Sequence, residues 1–254
     1  MLEQSVQDVA APGNRRATRF ELGRRLRRAK VRVAVRRRWF EFWLHRTRLR
    51  GAPGLLELGS TYGGWIVPGE LIEPSWTCYC VGAGGDVSFD LELIRRYGVV
   101  VRSFDPVSEY VESAIAQAAG EQRFAAYRAA IAVSDGPLRM QVTHDPHSRS
   151  VSSAGLYESD RFVELPGRSL TSLMSKLGDE RIDLLKLDIE GSEYELLPTL
   201  DLPALGVKVF SIQLHHTGTV RQARSLIAWL RAAGYEPVAC RLSVKLTFAR
   251  SDLL

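Results

Sequence analysis

The sequence predicts an α/β fold in which a mostly parallel sheet is covered by helices on both faces. From Pro74 onward, short apolar stretches typical of strands alternate with stretches typical of helices. Glycine, acidic residues or histidine follow these predicted strands. The length of 254 residues suits one large domain with an appendage, and 45% hydrophobic with 25% charged residues is ordinary for a globular chain.

The first three predicted strands are separated by two helices. Residues 76–85 contain the first strand and the glycine turn that follows it, and the next helix ends at Gly98. The second strand, Val99–Pro106, ends in an acid. A second helix then leads to a third strand, which we expect to close on the Ser-Asp-Gly turn at residues 134–136.

The remaining strands are predicted from three further apolar stretches. The fourth strand lies in IDLLKLDIEGSEYELL, Ile182–Leu197, and the fifth lies in Val207–Gly218. A Ser-x-x-Glu pattern that begins at Ser192 predicts a capping box and a helix from Glu193, where the helix dipole accounts for the negative charge. The C-terminal sequence YEPVACRLSVKLTFARS predicts two strands joined by a tight turn.

Positive charge is concentrated at the N-terminus. Residues 1–50 hold 15 Lys and Arg against 4 Asp and Glu, a net +11, whereas the other 204 residues hold 19 against 25, a net −6. We therefore expect a basic amphipathic N-terminal helical segment, residues 1–50, and a folded domain, residues 51–254.

The basic segment favours two settings and disfavours a third. It either docks on the domain with a solvated arginine face, or makes a peripheral contact with an anionic membrane through residues 20–48. Nucleic acid is the least favoured partner.

The compartment is predicted from features that the sequence lacks. No apolar run approaches the roughly 18–20 residues that span a bilayer, and no secretory signal is recognised. The three cysteines show no metal-binding spacing. We expect a cytoplasmic protein, with a peripheral position at the inner membrane surface as the alternative.

Five successive strand ends carry glycine, carboxylate or imidazole groups. Ligands of open parallel sheets bind beyond the carboxyl ends of the strands, so this pattern predicts a nucleotide-type ligand and a reacting group. The residues expected to bind the cofactor are Gly82, Ala83, Gly84, Gly85, Asp86, Asp105, Ser134, Asp135 and Asp188.

S-adenosylmethionine is favoured over a dinucleotide at this site. The G-x-G-x-x-G fingerprint of dinucleotide sites would need a glycine at Val87, and no phosphate-binding arginine follows closely. Asp105, 23 residues beyond Gly82, can accept hydrogen bonds from ribose hydroxyls in either case. A cofactor without a pyrophosphate fits better, and an oxidoreductase is disfavoured.

The sequence DLLKLDIEGSEYELL resembles the signature of FkbM-type methyltransferases. Five further stretches occur in the order found in that family, so the resemblance covers roughly residues 55–250. They are LGSTYGGW, VGAGGDVSFD, SFDP, AIAVSDG and QLHH. The resemblance implies a class I, S-adenosylmethionine-dependent O-methyltransferase with a Rossmann-like sheet of seven strands, the last antiparallel, acting on hydroxyls of sugars or polyketides. Many members have an acid where this chain has Cys80, and Gln213 stands where a Glu is frequent. Asp86 is expected to replace the acid opposite the methionine amine.

Three residues are predicted to carry the chemistry. His215 is the candidate base that takes the proton of the acceptor hydroxyl, and Asp188 and Glu190 lie at the neighbouring strand end. A metal-assisted mechanism is the alternative, in which Asp188, Glu190 and His215 would hold Mg²⁺.

Substrate contacts are expected from Tyr62 and Trp65, whose aromatic faces suit a sugar ring, and from His216. Packing at the sheet edge explains the aromatic pair equally well. His144 and His147 are expected at most at the rim. The predicted acceptor is a small molecule or a lipid-linked glycan. A homo-oligomer and a non-catalytic module that binds membrane or nucleic acid stay open as alternatives.

Overall fold

The computed structural model describes residues 34–143, 150–154 and 159–254. The chain divides into two units, Met1–Trp39 and Phe40–Leu254. Residues 34–45 are helical and form α1, in which Phe40 and Leu44 are buried. Residues 1–33 lie outside the described part, so the expected boundary at residue 50 stays a prediction. In the described ranges, no helix combines the length and the apolarity needed to cross a membrane.

The described chain after α1 contains thirteen strands, five further α-helices and three short 3-10 helices. The strands are β1 (Leu55–Leu58), β2 (Trp65–Pro68), β3 (Thr77–Val81), β4 (Val100–Asp105), β5 (Phe124–Arg128), β6 (Ala130–Ile131), β7 (Gly136–Val142), β8 (Val151–Ser152), β9 (Phe162–Arg168), β10 (Leu184–Leu187), β11 (Val209–Gln213), β12 (Tyr235–Arg241) and β13 (Lys245–Arg250). The helices are α2 (Ser88–Tyr97), α3 (Ser108–Ala118), α4 (Leu170–Leu177), α5 (Glu193–Leu196) and α6 (Val220–Ala232).

The main sheet has seven strands in the order β12-β13-β11-β10-β3-β4-β5. The five strands from β11 to β5 pair in parallel, whereas β13 pairs antiparallel with both β11 and β12. The expected seven-stranded, mostly parallel sheet with an antiparallel last strand is therefore confirmed.

Alternating side chains of the central strand β10 fill two cores, one on each face of the sheet. Leu185 and Leu187 pack with Phe210 on one face, and Leu184 packs with Val209 on the other. Each is completely buried. Burial of one leucine side chain stabilises a fold by about 1.5–3 kcal/mol, which explains why this short stretch is so apolar.

The order of strands reverses between β3 and β10. The chain proceeds from β3 towards β5 on one side and from β10 towards β11 on the other. The loops after β3 and β10 therefore diverge at their carboxyl ends and leave a crevice between them, which is where such sheets bind ligands.

The prediction for the third strand is wrong in its extent. β5 ends at Arg128, and residues 130–131 form β6, which pairs with β9 in a separate four-stranded sheet of order β6-β9-β7-β8. One apolar stretch, Ala125–Val133, thus contributes to two sheets. Hydrophobicity alone does not mark the point where the chain leaves the first sheet. Ser134 and Asp135 consequently do not follow a strand of the main sheet.

The capping box predicted at Ser192 is also wrong, although α5 begins at Glu193 as expected. Ser192 has a helical backbone and its side chain caps no helix. Its hydroxyl instead lies 2.5 Å from the hydroxyl of Ser153. A tertiary partner has replaced the local one.

A β-hairpin that the sequence did not reveal covers one face of the main sheet. β1 pairs antiparallel with β2, and Leu58 lies opposite Trp65. The Thr247 hydroxyl of β13 donates to the backbone oxygen of Ile66 in β2 at 2.7 Å. Residues 59–64 form the loop of this hairpin, and they lie against the glycine turn after β3.

Candidate active site

The glycine turn after β3 touches the loop after β10. Gly82 has φ +80°, and a Cβ at this position would lie 2.0 Å from the backbone oxygen of Asp188. Only glycine fits such an approach. Gly84 has φ +56°, but a Cβ there would meet no atom within 4 Å. The turn therefore packs tightly at its start and opens onto free space at its centre.

Asp105 ties the end of β4 to this turn. One of its carboxylate oxygens accepts from the Gly84 N–H at 3.0 Å, and the other accepts from the Val107 N–H at 2.9 Å. The side chain is 5% exposed, and burial raises the pKa of its carboxyl group against these hydrogen bonds. The structure thus brings Asp105 and the glycines together, as the sequence predicted.

Lys186, in the neighbouring strand β10, holds the glycine turn after β3 in place. Its ammonium donates to the backbone oxygen of Gly82 at 2.6 Å. The buried Asp90 lies nearby, and burial raises the pKa of its carboxyl group to about 6 even though Lys186 and Ser103 lower it. Sequence analysis did not single out Asp90, because an acid in the first turn of a helix has an ordinary explanation in the helix dipole.

Asp86 lies between the glycine turn and the hairpin loop. Its carboxylate accepts from the Ser60 hydroxyl at 2.5 Å and from the Ser88 N–H at 3.0 Å. Partial burial opposes ionisation, but these hydrogen bonds hold the pKa of Asp86 below its ordinary value. An ionised carboxylate beside the open centre of the turn suits a positively charged ligand group.

His215 is surrounded by three carboxylates. Its Nδ1 lies 2.7 Å from Glu193, and its Nε2 lies 3.7 Å from Asp188 and 3.5 Å from Glu190. Gln213 approaches Nε2 at 3.0 Å. Burial disfavours the charged imidazolium, yet the charges of the three acids raise the pKa of His215 to about 9. The structure therefore joins the three predicted catalytic residues in one cluster.

Glu193 is the member of this cluster that sequence analysis missed. Its side chain is completely buried, and Oε1 also accepts from the Gly191 N–H at 3.3 Å. The helix dipole seemed to explain this acid, so the sequence offered no reason to pair it with His215. The D-x-E-G-x-E spacing was the only signal, because it brings three acids into one tight turn and the start of a helix.

Asp188, Glu190 and His215 could hold a metal ion. One ligand atom from each residue lies within 4.8 Å of the others, and two oxygens with one imidazole nitrogen suit Mg²⁺ or Mn²⁺. Glu190 adopts the left-handed region with φ +53°, which is uncommon for a residue other than glycine. The Ser152 hydroxyl donates to its backbone oxygen at 2.6 Å and holds it there.

The predicted substrate contacts have different surroundings. Tyr62 is 79% exposed, and partial desolvation together with the charges of Asp188 and Glu190 raises the pKa of its phenol. Trp65 is 1% exposed and packs beneath the hairpin loop. His216 is half-buried next to His215. Their roles towards a substrate stay predictions, and His144 and His147 lie outside the described residues.

Ser134 and Asp135 lie in the segment between β6 and β7. They line a cavity of about 390 Å³ with Ser153, Ser192 and Glu195. The Asp135 carboxylate accepts from the Ser169 N–H at 2.9 Å and from the Ser172 hydroxyl at 2.7 Å. These bonds fix the first turn of α4. The predicted cofactor contacts of Ser134 and Asp135 therefore find no support in this placement and stay predictions.

A family model described as "Methyltransferase FkbM domain" matches residues 80–237, more than half of the chain. No curated protein matches.

Three solved structures have a similar arrangement. One is a Methanococcus jannaschii fibrillarin pre-rRNA processing protein, at 10% identity and a TM-score of 0.42, covering 70% of this chain and 68% of that chain. Another is M. capricolum TrmK in complex with S-adenosylhomocysteine, at 10% identity and 0.40, covering 71% and 65%. The third is a human methyltransferase 10 domain containing protein, at 12% identity and 0.40, covering 70% and 72%.

Proposed function

Because this chain belongs to the FkbM methyltransferase family and is an S-adenosylmethionine-dependent methyltransferase, we propose that it methylates a hydroxyl group. The acceptor is a sugar, a glycolipid or a polyketide-type small molecule. The contact between the glycine turn and the loop after β10 carries this proposal. The backbone oxygen of Asp188 lies against Gly82, so the acidic cluster around His215 borders the open space beside Gly84.

The residues of this space fit the cofactor. Asp105 can accept from ribose hydroxyls, since each carboxylate oxygen bonded to a backbone N–H keeps a second lone pair. Asp86 offers an ionised carboxylate to the methionine ammonium. The bound cofactor supplies a methyl group on a positively charged sulfur. The protein has to align the hydroxyl with that methyl group and remove the hydroxyl proton.

His215 takes this proton through Nε2 in the proposed reaction. Glu193 holds Nδ1, so Nε2 is directed towards Asp188 and Glu190. With a pKa of about 9, only about 1% of His215 is neutral at pH 7. Proton removal by His215 therefore speeds up as the pH rises, or as the negative charge of Asp188 and Glu190 is neutralised.

A metal-assisted reaction is the second candidate, and one observation favours it. Asp188, Glu190 and His215 converge although the repulsion between the two carboxylates and the strained backbone of Glu190 oppose this arrangement. A divalent cation between them would offset the repulsion and lower the pKa of a sugar hydroxyl.

We also propose that the enzyme is cytoplasmic and meets a lipid-linked acceptor at an anionic membrane surface. Phe42 and Trp43 are 47% and 42% exposed, with ring centroids 6.1 Å apart. The guanidinium groups of Arg46 and Arg224 lie 5.1 Å and 5.7 Å from the Phe42 and Trp43 ring centroids. Exposed aromatic rings beside arginines are typical of surfaces that lie in the headgroup region of a membrane.

Two measurements test the hydroxyl-methylating function. Calorimetric titration with S-adenosylhomocysteine should show one site per chain. Transfer of radiolabelled methyl groups should then be screened over glycosides, glycolipids and macrolides, and the product bond identified by NMR. A product methylated on oxygen supports the proposal. Methyl transfer that is lost in Asp188→Asn and retained in Glu195→Gln would show that the activity depends on the acidic cluster. Products methylated only on nitrogen or carbon would refute it.

A further inference from the structure

Lys245 is a buried cation at the carboxyl edge of the main sheet. It begins β13, pairs with Gln213 of β11 and is 7% exposed. Its ammonium donates one hydrogen bond, to the backbone oxygen of Tyr62 at 3.1 Å, and lies 4.7 Å from the centre of the Trp65 ring. Within the described ranges, the Lys245 ammonium forms no ion pair, no further hydrogen bond and no contact with another aromatic ring.

A buried ammonium without a carboxylate partner is unfavourable. The pKa of Lys245 is lowered to about 8, first by burial and then by the positive charges of Lys186 and Arg241, while the charges of Asp188 and Asp86 act in the opposite direction. The neighbouring cations differ from it. Lys186 is anchored by Gly82, and Arg241 forms an ion pair with Glu57 at 2.6 Å. The environment of Lys245 therefore suits a cation whose negatively charged partner is supplied by a bound ligand.

The hairpin loop connects Lys245 to the opposite charge. Tyr62 of this loop accepts from Lys245, and Ser60 of the same loop donates to Asp86 at 2.5 Å. One short loop is thus held between an ammonium and a carboxylate. A ligand that carries both an amino and a carboxyl group matches this pair in charge.

We propose that Lys245 binds the α-carboxylate of S-adenosylmethionine while Asp86 binds its α-ammonium. This inference rests on the proposed cofactor position beside the glycine turn. The buried ring of Trp65 lies beside both cations, with its centroid 4.7 Å from the Lys245 ammonium and 5.9 Å from the Lys186 ammonium.

Affinities for two ligands test this role. S-adenosylhomocysteine has the α-carboxylate, whereas 5′-methylthioadenosine lacks the whole amino acid. In Lys245→Met, we expect the affinity for S-adenosylhomocysteine to fall about 10- to 100-fold, as for the loss of a charged hydrogen bond. The affinity for methylthioadenosine should stay within about twofold. Lys186→Met should weaken both ligands because it releases the glycine turn, and the exposed Lys176→Met should affect neither.

Several outcomes would overturn the assignment. One is an equal loss for both ligands in Lys245→Met. Another is full affinity for S-adenosylhomocysteine with loss of methyl transfer, which would assign Lys245 to the acceptor. If the wild-type protein binds neither ligand, the proposed cofactor site itself fails.

A measurement on the wild-type chain covers the case in which Lys245→Met does not fold. Calorimetry at pH 8 in buffers of different ionisation enthalpy reports proton uptake. Binding of S-adenosylhomocysteine should take up a fraction of a proton, because the carboxylate raises the pKa of Lys245, and methylthioadenosine should take up none. The same uptake for both ligands would contradict the proposal.

Discussion

The Nδ1 atom of His215 lies 2.7 Å from Oε1 of Glu193, a carboxylate that is completely buried. This contact orients the imidazole ring so that Nε2 faces Asp188 and Glu190. It also stabilises the protonated ring. The availability of His215 as a base is therefore set by a neighbour that touches neither Asp188 nor the glycine turn in the contacts described.

Removal of the Glu193 charge should make His215 less basic. In Glu193→Gln, the pKa of His215 should fall from about 9 by a unit or more, because the strongest stabilising charge is lost. NMR titration of the His215 ring and the pH profile of methyl transfer would both move to lower pH. Glu195→Gln is the control, since Glu195 is exposed two residues away. A profile that stays in place would contradict the assigned role.

The wild-type enzyme should speed up with pH when it is freed of divalent cations. His215 is protonated well below pH 9, so the neutral base becomes more abundant by about tenfold from pH 7 to pH 8, and levels off above pH 9. Single-turnover rates after chelator treatment would measure this. A rate that is flat over this range would exclude His215 as the base.

Mn²⁺ should bind at the acidic cluster if the metal-assisted reaction operates. Electron paramagnetic resonance should detect one bound Mn²⁺ per chain, with binding lost in Asp188→Asn and Glu190→Gln and kept in Glu195→Gln. Methyl transfer should then fall after chelation and recover with Mg²⁺. Full activity in the presence of the chelator would leave His215 acting without a metal.

Three glycine substitutions should separate folding from cofactor binding. Gly82→Ala should lower Tm most, because its Cβ would meet the backbone oxygen of Asp188. Gly84→Ala and Gly98→Ala should each cost about 1–2 kcal/mol of stability, because alanine is strained in the left-handed backbone conformation. Both have open space around the new methyl group. Only Gly84→Ala should weaken S-adenosylhomocysteine while retaining most of the stability. Equal affinities for Gly84→Ala and Gly98→Ala would mean that the cofactor binds elsewhere.

Membrane contact should depend on the exposed aromatic pair. The double variant Phe42→Ser and Trp43→Ser should lose about tenfold or more in affinity for vesicles that contain phosphatidylglycerol, whereas Ile115→Ser, another exposed apolar residue, should not. Co-sedimentation of the full chain at low and high salt would measure this. Binding unaffected by the double variant would exclude these rings as the contact.

The centre of the main sheet was predictable because β3, β10 and β11 are short, mostly apolar stretches that are buried on both faces. β10 and β11 lie within the stretches expected for them, and Gly98 ends α2 with φ +69°. The second sheet was not predicted, because β6 and β8 have only two residues each and the longer β7 and β9 are partly exposed, so they lack a uniform apolar pattern. The β1–β2 hairpin was missed for a related reason, since its glycine-rich loop resembles an irregular segment.

The site residues that could be predicted are those located at the carboxyl ends of the parallel strands. Asp105, Asp188 and His215 follow parallel strands of one sheet, so they had to lie at one edge. Glu193 and Lys245 enter the site differently. Glu193 reaches His215 from the start of a helix, and Lys245 enters from the antiparallel strand β13, whose first residue lies at that edge. Such contacts depend on the three-dimensional path of the chain.

The left-handed backbone of Glu190 sets the proposed catalytic role of its carboxylate against the stability of the fold. A glycine there would relieve about 1–3 kcal/mol of conformational strain, so the chain would gain thermal resistance by giving up this carboxylate. Screens for hardier variants should therefore enrich changes at residue 190 that abolish turnover. Conversely, lineages that keep an acid at this position reveal a continuing demand for its charge.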